Sequence, residues 1–146
     1  MNTETLSSSH PSFARHAADV LRHGGLVAFP TDTVYGVGAR AFDGDTVSRL
    51  HVIKGRGAEK AIAVLLASPA DLPRVTSSLT PLSRILAEAF WPGPLTLVVP
   101  KHPALPQTVT RTENVGVRVP DHPVARAILS EAGPLAHYMP YTPLTK

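Results

Sequence analysis

The sequence has no cysteine and no long apolar run. The absence of cysteine excludes disulfides, thiolate metal sites and cysteine nucleophiles, and it fits a reducing compartment. The longest apolar runs, such as residues 61–67, are far too short to cross a bilayer, and the polar residues 1–5 lack the apolar core of a signal peptide. We therefore expect a cytoplasmic protein that has no membrane partner.

Several common active-site motifs are also missing. The seven histidines show neither HxxxH nor HxH spacing, which disfavours a histidine-built metal site. The chain has no Gly-x-Ser-x-Gly elbow, and its Gly24-Gly25 pair is not a phosphate-binding P-loop. The sequence thus predicts no metal site built by the protein itself.

Length and charge set broad limits on what the chain can be. Its 146 residues correspond to one domain that can bury a substantial core. The formal charge of +3 is a mild bias toward anionic partners, and the basic residues are scattered rather than gathered in a run. A small phosphate-bearing ligand explains this bias as well as RNA does. The fifteen prolines lie at element boundaries, which indicates tight joints rather than a disordered linker.

An apolar stretch that runs into a polar loop is the centre of the predicted organisation. Residues 26–29 predict a buried strand, which Pro30 ends because proline cannot donate to a strand ladder. Polar side chains then follow at the carboxyl end of the strand, where open α/β sheets bind ligands. An ordinary turn, whose polar side chains satisfy only the local backbone, is the alternative. The polar residues are Thr31, Asp32, Thr33 and Tyr35.

Periodicity predicts alternating helices and strands along the rest of the chain. Thr80-Pro81 indicates a helix start, with a buried stripe behind it at Leu82, Ile85, Leu86 and Ala89. This mixture predicts a partly parallel, twisted sheet with helices packed against it. Helices are expected at 12–23, from Asp43 or Asp45 to about 54, at 80–90 and from a cap at Asp121 to Gly133, with a short helical turn or loop at 69–74. Strands are expected at 26–29, 61–66, 95–99 and 115–119.

Two groups of basic residues are candidates for anion binding. Lys54 and Arg56 flank Gly55, and Lys60 follows, which favours a phosphate clamp because lysine and arginine both bind phosphate oxygens. A solvated basic turn stabilised at a helix C-terminus is the alternative. Arg118 lies in an otherwise apolar strand, so it needs an anionic partner, either a protein carboxylate or a ligand carboxylate or phosphate.

Four ordered segments together resemble the YrdC family, the threonylcarbamoyl-adenylate synthases of tRNA modification. The resemblance spans residues 12–136 and implies an α/β fold, a twisted open mixed sheet with flanking helices and a large basic cavity, incomplete at the C-terminus. It also implies that ATP, L-threonine and bicarbonate give threonylcarbamoyl-AMP and pyrophosphate. A downstream threonylcarbamoyl transferase complex would then use the product to modify tRNA. The segments are 30–39, 53–56, 90–98 and 115–123.

The resemblance also implies binding roles for particular residues. It gives Thr33 and Arg118 to L-threonine, and it gives the ATP-binding role to Lys54, Arg56, Lys60 and Asn114. No catalytic side chain is implied, because the carbamate oxygen attacks the α-phosphate while the protein positions the reactants and neutralises charge. Magnesium is expected to arrive with ATP.

The chain departs from the family pattern at several positions. Gly57 and Ala61 stand where the family usually has proline, and after Ala136 the nucleotide-holding Ser-x-Asn motif is missing. We therefore expect a flexible N-terminus at 1–11, a partial YrdC-like domain at 12–136, a divergent tail at 137–146 and impaired activity. The alternative is a non-catalytic module that binds tRNA or other double-stranded RNA, or an inactive fragment. The aromatic content of 5% disfavours sequence-specific recognition of single strands.

Overall fold

Six strands form one mixed sheet that carries helices on both faces. The computed structural model describes residues 2–55 and 61–138. A 3₁₀ turn at Pro69–Asp71 precedes the third helix. The helices are α1 (Phe13–Arg22), α2 (Gly44–Lys54), α3 (Leu72–Val75), α4 (Pro81–Phe90) and α5 (Pro123–Ala132), and the strands are β1 (Val27–Phe29), β2 (Gly36–Arg40), β3 (Ala63–Leu65), β4 (Leu97–Pro100), β5 (Asn114–Arg118) and β6 (Leu135–Tyr138).

The strand order is β1-β2-β6-β3-β5-β4. Only β3 and β5 pair in parallel among these strands, with Leu65 opposite Arg118. The remaining neighbours are antiparallel. This arrangement confirms the predicted partly parallel sheet. The last of the described strands along the chain, β6, lies inside the sheet between β2 and β3.

Local sequence signals fix the helix starts. The Asp43 carboxylate accepts the backbone N–H of Thr46 at 3.2 Å, and the hydroxyl of Thr46 also donates to that carboxylate, which lowers the pKa of Asp43. Thr80 caps α4 by accepting the N–H of Ser83 at 3.1 Å. These two caps agree with the sequence. The expected cap at Asp121 is wrong, because the next residue caps α5.

The cap of α5 is a histidine. His122 Nδ1 accepts the backbone N–H of Val124 at 3.1 Å. The imidazole thus caps the helix in place of the expected Asp121 carboxylate. Pro123 occupies the first helical position, where its missing N–H costs nothing.

Two apolar cores lie on opposite faces of the sheet. On one face α1 and α5 cover Phe29, Leu65 and Leu135, whose side chains form one cluster. On the other face α2 and α4 pack over alternate residues of the same strands, including Val64 and Val117. Neighbouring residues along a strand point to opposite faces of the sheet, and this alternation divides the apolar side chains between the two cores.

Three expectations from the sequence need correction. β1 is an edge strand with Ala28 exposed, not a buried one, because β2 alone among the described strands pairs with it. Residues 36–40, which are not among the expected strands, form β2. The α4 stripe is not buried, since Leu82 and Ile85 are 63% and 61% exposed. The helix instead turns Ala87 toward the core.

Within residues 2–55 and 61–138, no helix combines the length and the apolar character that crossing a membrane requires.

Candidate functional site

The loop between β1 and β2 is held by one buried hydroxyl. Thr31 Oγ1 accepts the N–H groups of Thr33 and Val34, each at 3.2 Å, and donates to the carbonyl of Val34 at 2.6 Å. Such a bond pattern fixes a turn. For Thr31 the alternative interpretation therefore holds, because its side chain satisfies local backbone groups. Asp32 reaches outside the loop.

Arg118 joins this loop to the end of β5. Its side chain is 4% exposed. Nε donates to the carbonyl of Gly93 at 2.9 Å, one terminal nitrogen donates to Thr33 Oγ1 at 3.4 Å, and the other pairs with the Asp32 carboxylate. The anionic partner that the sequence required is thus a protein carboxylate. The structure also brings together Thr33 and Arg118, the two residues that the resemblance gives to L-threonine.

Gly93 belongs to a rigid joint that follows α4. Trp91 is buried, and its indole N–H donates to the carbonyl of Leu95 at 2.8 Å. The backbone N–H of Gly93 in turn donates to the carbonyl of Val119 at 2.9 Å. The joint is tied to β5 from both directions, so it presents a fixed carbonyl to the Arg118 guanidinium.

Lys54 is the described part of the expected phosphate clamp. It is the last residue of α2, and Gly55 follows in the left-handed conformation with φ +66°. The carboxyl end of the helix stabilises the lysine charge. Arg56 and Lys60 lie outside the described residues, so the clamp as a whole stays a prediction.

Asn114 lies away from the other predicted site residues. It begins β5, and Arg118 ends the strand, which separates the two by about 13 Å at the usual rise per residue. The Asn114 backbone is occupied locally, since its N–H donates to Thr112 Oγ1 at 3.1 Å. Asn114 can therefore contact only a different part of any ligand that Arg118 binds, and its nucleotide role remains a prediction.

His137 is a site residue that the sequence did not identify. Its side chain is buried in β6, and its ring lies 5.3 Å from that of Phe29 between centroids. Its Nε2 atom has no hydrogen-bond partner among residues 2–55 and 61–138. Burial, and then the charges of Arg118 and Lys54, lower the pKa of His137 to about 4. The ring is therefore neutral near pH 7, and the two cations lie near it. No motif in the sequence marks this histidine, because residue 137 falls in the expected divergent tail.

Small side chains surround His137 on the face of the sheet that carries Arg118. Strand register places Gly38 of β2 on one side of His137 and Ala63 of β3 on the other. Gly116 of β5 lies beside Ala63, one strand further across the sheet. Neighbouring side chains occupy the space that these glycines leave, since a Cβ built on Gly38 would lie 3.0 Å from the Phe29 ring and one built on Gly116 would lie 3.1 Å from the Thr96 methyl. The described residues contain no group of three His, Asp or Glu side chains that could hold a metal ion.

This mixed α/β sheet, with a buried arginine where β5 ends and a lysine where α2 ends, belongs to the class of α/β proteins whose cationic groups are suited to a small anionic ligand. The chain belongs to the Sua5/YciO/YrdC family, since the family model described as "Telomere recombination" matches residues 19–138. This finding confirms the resemblance that the four sequence segments indicated.

Relatives and solved structures agree with this assignment. The chain is 41% identical over 133 residues to a threonylcarbamoyl-AMP synthase of Bacillus subtilis, with 90% of this chain and 38% of that protein covered. It matches the crystal structure of Pyrococcus abyssi Sua5 complexed with L-threonine with a TM-score of 0.84 and 38% identity, covering 92% of this chain and 39% of that one. E. coli YciO has the same fold, with a TM-score of 0.79, 21% identity and coverage of 90% of this chain and 65% of that one. The chain thus spans about two-fifths of the length of the first two proteins.

Proposed function

We propose that this chain binds L-threonine and ATP as part of a threonylcarbamoyl-AMP synthase. The observation that carries the proposal is the contact between Arg118 and Thr33, which joins a buried guanidinium to a hydroxyl on the loop after β1. The similarity to the Bacillus synthase and to the threonine-bound Pyrococcus protein supports the same activity.

The guanidinium of Arg118 would bind the carboxylate of L-threonine. Arginine has five N–H donors in a planar fork that fits a carboxylate. Among the described residues, Gly93, Thr33 and Asp32 accept one bond each, so two donors remain for a ligand. Asp32 neutralises the guanidinium before a ligand arrives and holds it toward the loop.

The Lys54 side of the site would bind ATP. Lys54 would neutralise phosphate oxygens, together with Arg56 and Lys60, and magnesium would arrive with ATP. The threonine amine first attacks bicarbonate, and a C–O bond breaks and water leaves as the carbamate forms. A carbamate oxygen then attacks the α-phosphorus while the bond to pyrophosphate breaks. This chemistry requires no protein nucleophile, so positioning and charge neutralisation supply the catalysis. Transfer of the product to tRNA would need the downstream transferase complex.

A pyrophosphate-release assay tests the activity. ATP, bicarbonate and L-threonine are supplied together and then omitted one at a time. We expect turnover to depend on all three but to be slower than in a full-length family member, since the Ser-x-Asn motif is missing after Ala136. Turnover that does not require L-threonine, or tight tRNA binding without any nucleotide turnover, would contradict the proposal and favour the RNA-binding alternative.

Titration calorimetry with L-threonine tests the assignment of the two residues. We expect Thr33→Ala and Arg118→Lys each to weaken binding by about tenfold or more, because bonds to a charged ligand group are lost. The exposed Arg111→Lys variant is the matched control and should bind as the wild type does. Near-equal affinity in all four proteins would remove Thr33 and Arg118 from the threonine site.

A further inference from the structure

The outward side of α4 is an apolar stripe with nothing packed on it among the described residues. Leu82, Ile85 and Ala89 recur at spacings of three and four, which places them in one row along the helix. All three are exposed, and the two large ones are more than half exposed. The helix is held to the sheet from its other side, through the buried Ala87. The stripe is therefore separate from the core.

The order of side-chain sizes along this α4 stripe is self-complementary. When two copies of α4 lie antiparallel, Leu82 of each copy faces Ala89 of the other. Ile85 then lies against Ile85 of the second copy, on the two-fold axis. A large residue opposite a small one keeps the distance between helix axes even along the contact. The stripe is thus suited to pack against itself.

Two charges beside the stripe favour the same register. Arg84 and Glu88 lie one turn apart on α4, and within the described part of the chain neither forms an ion pair. In an antiparallel pair centred near Ile85, Arg84 of one copy lies beside Glu88 of the other, and symmetry repeats the contact. In a parallel two-fold pair the side of α4 that carries Arg84 and Glu88 lies across the interface from the same side of the second copy, so this contact cannot form. Charge complementarity therefore selects the antiparallel arrangement.

We propose that the α4 stripe is a self-association surface, on which two copies of this chain pair their α4 helices antiparallel about a two-fold axis at Ile85. Three turns of helix bury less area than a standard stable interface, so association is weak, in the micromolar to millimolar range. The proposal is independent of the proposed function, because Ala87 belongs to the core on the face of the sheet opposite Arg118.

Sedimentation equilibrium of the full chain from micromolar to millimolar concentration measures the association. We expect a reversible monomer–dimer equilibrium that Ile85→Glu abolishes. The control Val52→Glu, on the exposed face of α2, should leave it unchanged. Circular dichroism checks that each variant is folded. A chain that stays monomeric throughout, or dimers that Ile85→Glu does not affect, would overturn the proposal.

Charge reversal tests the register separately. Arg84→Glu and Glu88→Arg should each weaken self-association about tenfold, since each creates two like-charge contacts. An equimolar mixture of the two variants should associate at least as tightly as the wild type, because every contact between unlike chains then joins opposite charges. An effect confined to one helix cannot produce this recovery on mixing. Failure of the mixture to associate would overturn the antiparallel register.

The groove between α3 and α4 lies next to the α4 stripe. If an added apolar peptide binds there and the chain does not dimerise, the proposal that a second copy of this chain covers the stripe is overturned.

Discussion

His137 fills the space that Gly36 leaves by having no side chain. A Cβ built on Gly36 would overlap the Nε2 atom of the imidazole, and Phe29, the cross-strand partner of Gly36, lies against the same ring. Gly36 begins β2 directly after the loop that carries Asp32 and Thr33. The imidazole therefore fixes the point at which the site loop returns to the sheet.

We predict that Gly36→Ala destabilises the fold by about 1–3 kcal/mol, because the new methyl group overpacks the site against a buried ring. Urea unfolding measures the change. The double variant Gly36→Ala with His137→Ala should lose less stability than the sum of the two single variants, since the overlap is gone. Gly116→Ala is the control: its Cβ would meet the Thr96 methyl at 3.1 Å and the Ala63 Cβ at 3.9 Å, and not the imidazole. Additive losses in the double variant would show that the two residues do not constrain each other.

The free energy of unfolding should fall as the pH is lowered from 6.5 to about 4, because His137 is then neutral in the folded chain and protonated in the unfolded chain. The pKa of His137 is lowered from 6.5 to about 4, so between these values the unfolded chain binds a proton that the folded chain does not. The stability lost by pH 4 approaches about 3 kcal/mol. Asp43, whose pKa is lowered from 3.8, contributes only below this window.

Urea unfolding of the wild type and of His137→Gln at several pH values tests this dependence. Glutamine at position 137 has no titratable group, so the free energy of unfolding of this variant should vary less between pH 6.5 and pH 4. Parallel curves for the two proteins would show that another group causes the dependence.

Asp32→Asn should destabilise the fold by about 2–4 kcal/mol, because it leaves the buried Arg118 guanidinium without its counter-charge. The Asp32 side chain is only 16% exposed, so water compensates little. Thermal unfolding compares this variant with Asp19→Asn, which breaks an exposed pair with Arg22 and should change stability by less than about 1 kcal/mol. Equal effects of the two substitutions would mean that the Asp32 pair is as solvated as a surface pair.

Two consecutive buried hydrogen bonds lie on the face of the sheet opposite Arg118. The Tyr138 hydroxyl donates to His51 Nδ1 at 3.0 Å, and His51 Nε2 donates to the carbonyl of Thr108 at 2.7 Å. Tyr138→Phe leaves the Nδ1 atom without this donor and should cost about 1–3 kcal/mol. The exposed Tyr35→Phe is the matched control and should leave the urea midpoint unchanged. A Tyr138→Phe midpoint equal to that of the wild type would mean that the bond contributes nothing.

Local signals predicted much of the fold. Asp43 and the Thr80-Pro81 pair marked helix starts that the structure confirms, because a cap depends on residues within one turn. The parallel contact of β3 and β5 also fits the expected partly parallel sheet. The resemblance named Thr33 and Arg118, which lie together.

Long-range placement could not be predicted in the same way. β6 contains four consecutive buried residues, so it lacks the alternation that marks a half-exposed strand. An apolar stripe at helical spacing identifies a face, but not whether anything covers it, and for this reason Leu82 and Ile85 were wrongly expected in the core. The pairing of Asp32 with Arg118 could not be predicted, because the two segments that carry these residues meet only in the folded chain.

The position of β6 in the sheet has a consequence for synthesis. During translation β1 and β2 emerge first, and β3, β4 and β5 follow, yet these two groups share no strand pairing until residues 135–138 are made. Until then both groups expose an unpaired edge, where a growing chain is open to wrong partners. A chain cut short before β6 therefore carries two half-sheets with no strand pairing between them, rather than a shortened version of the fold.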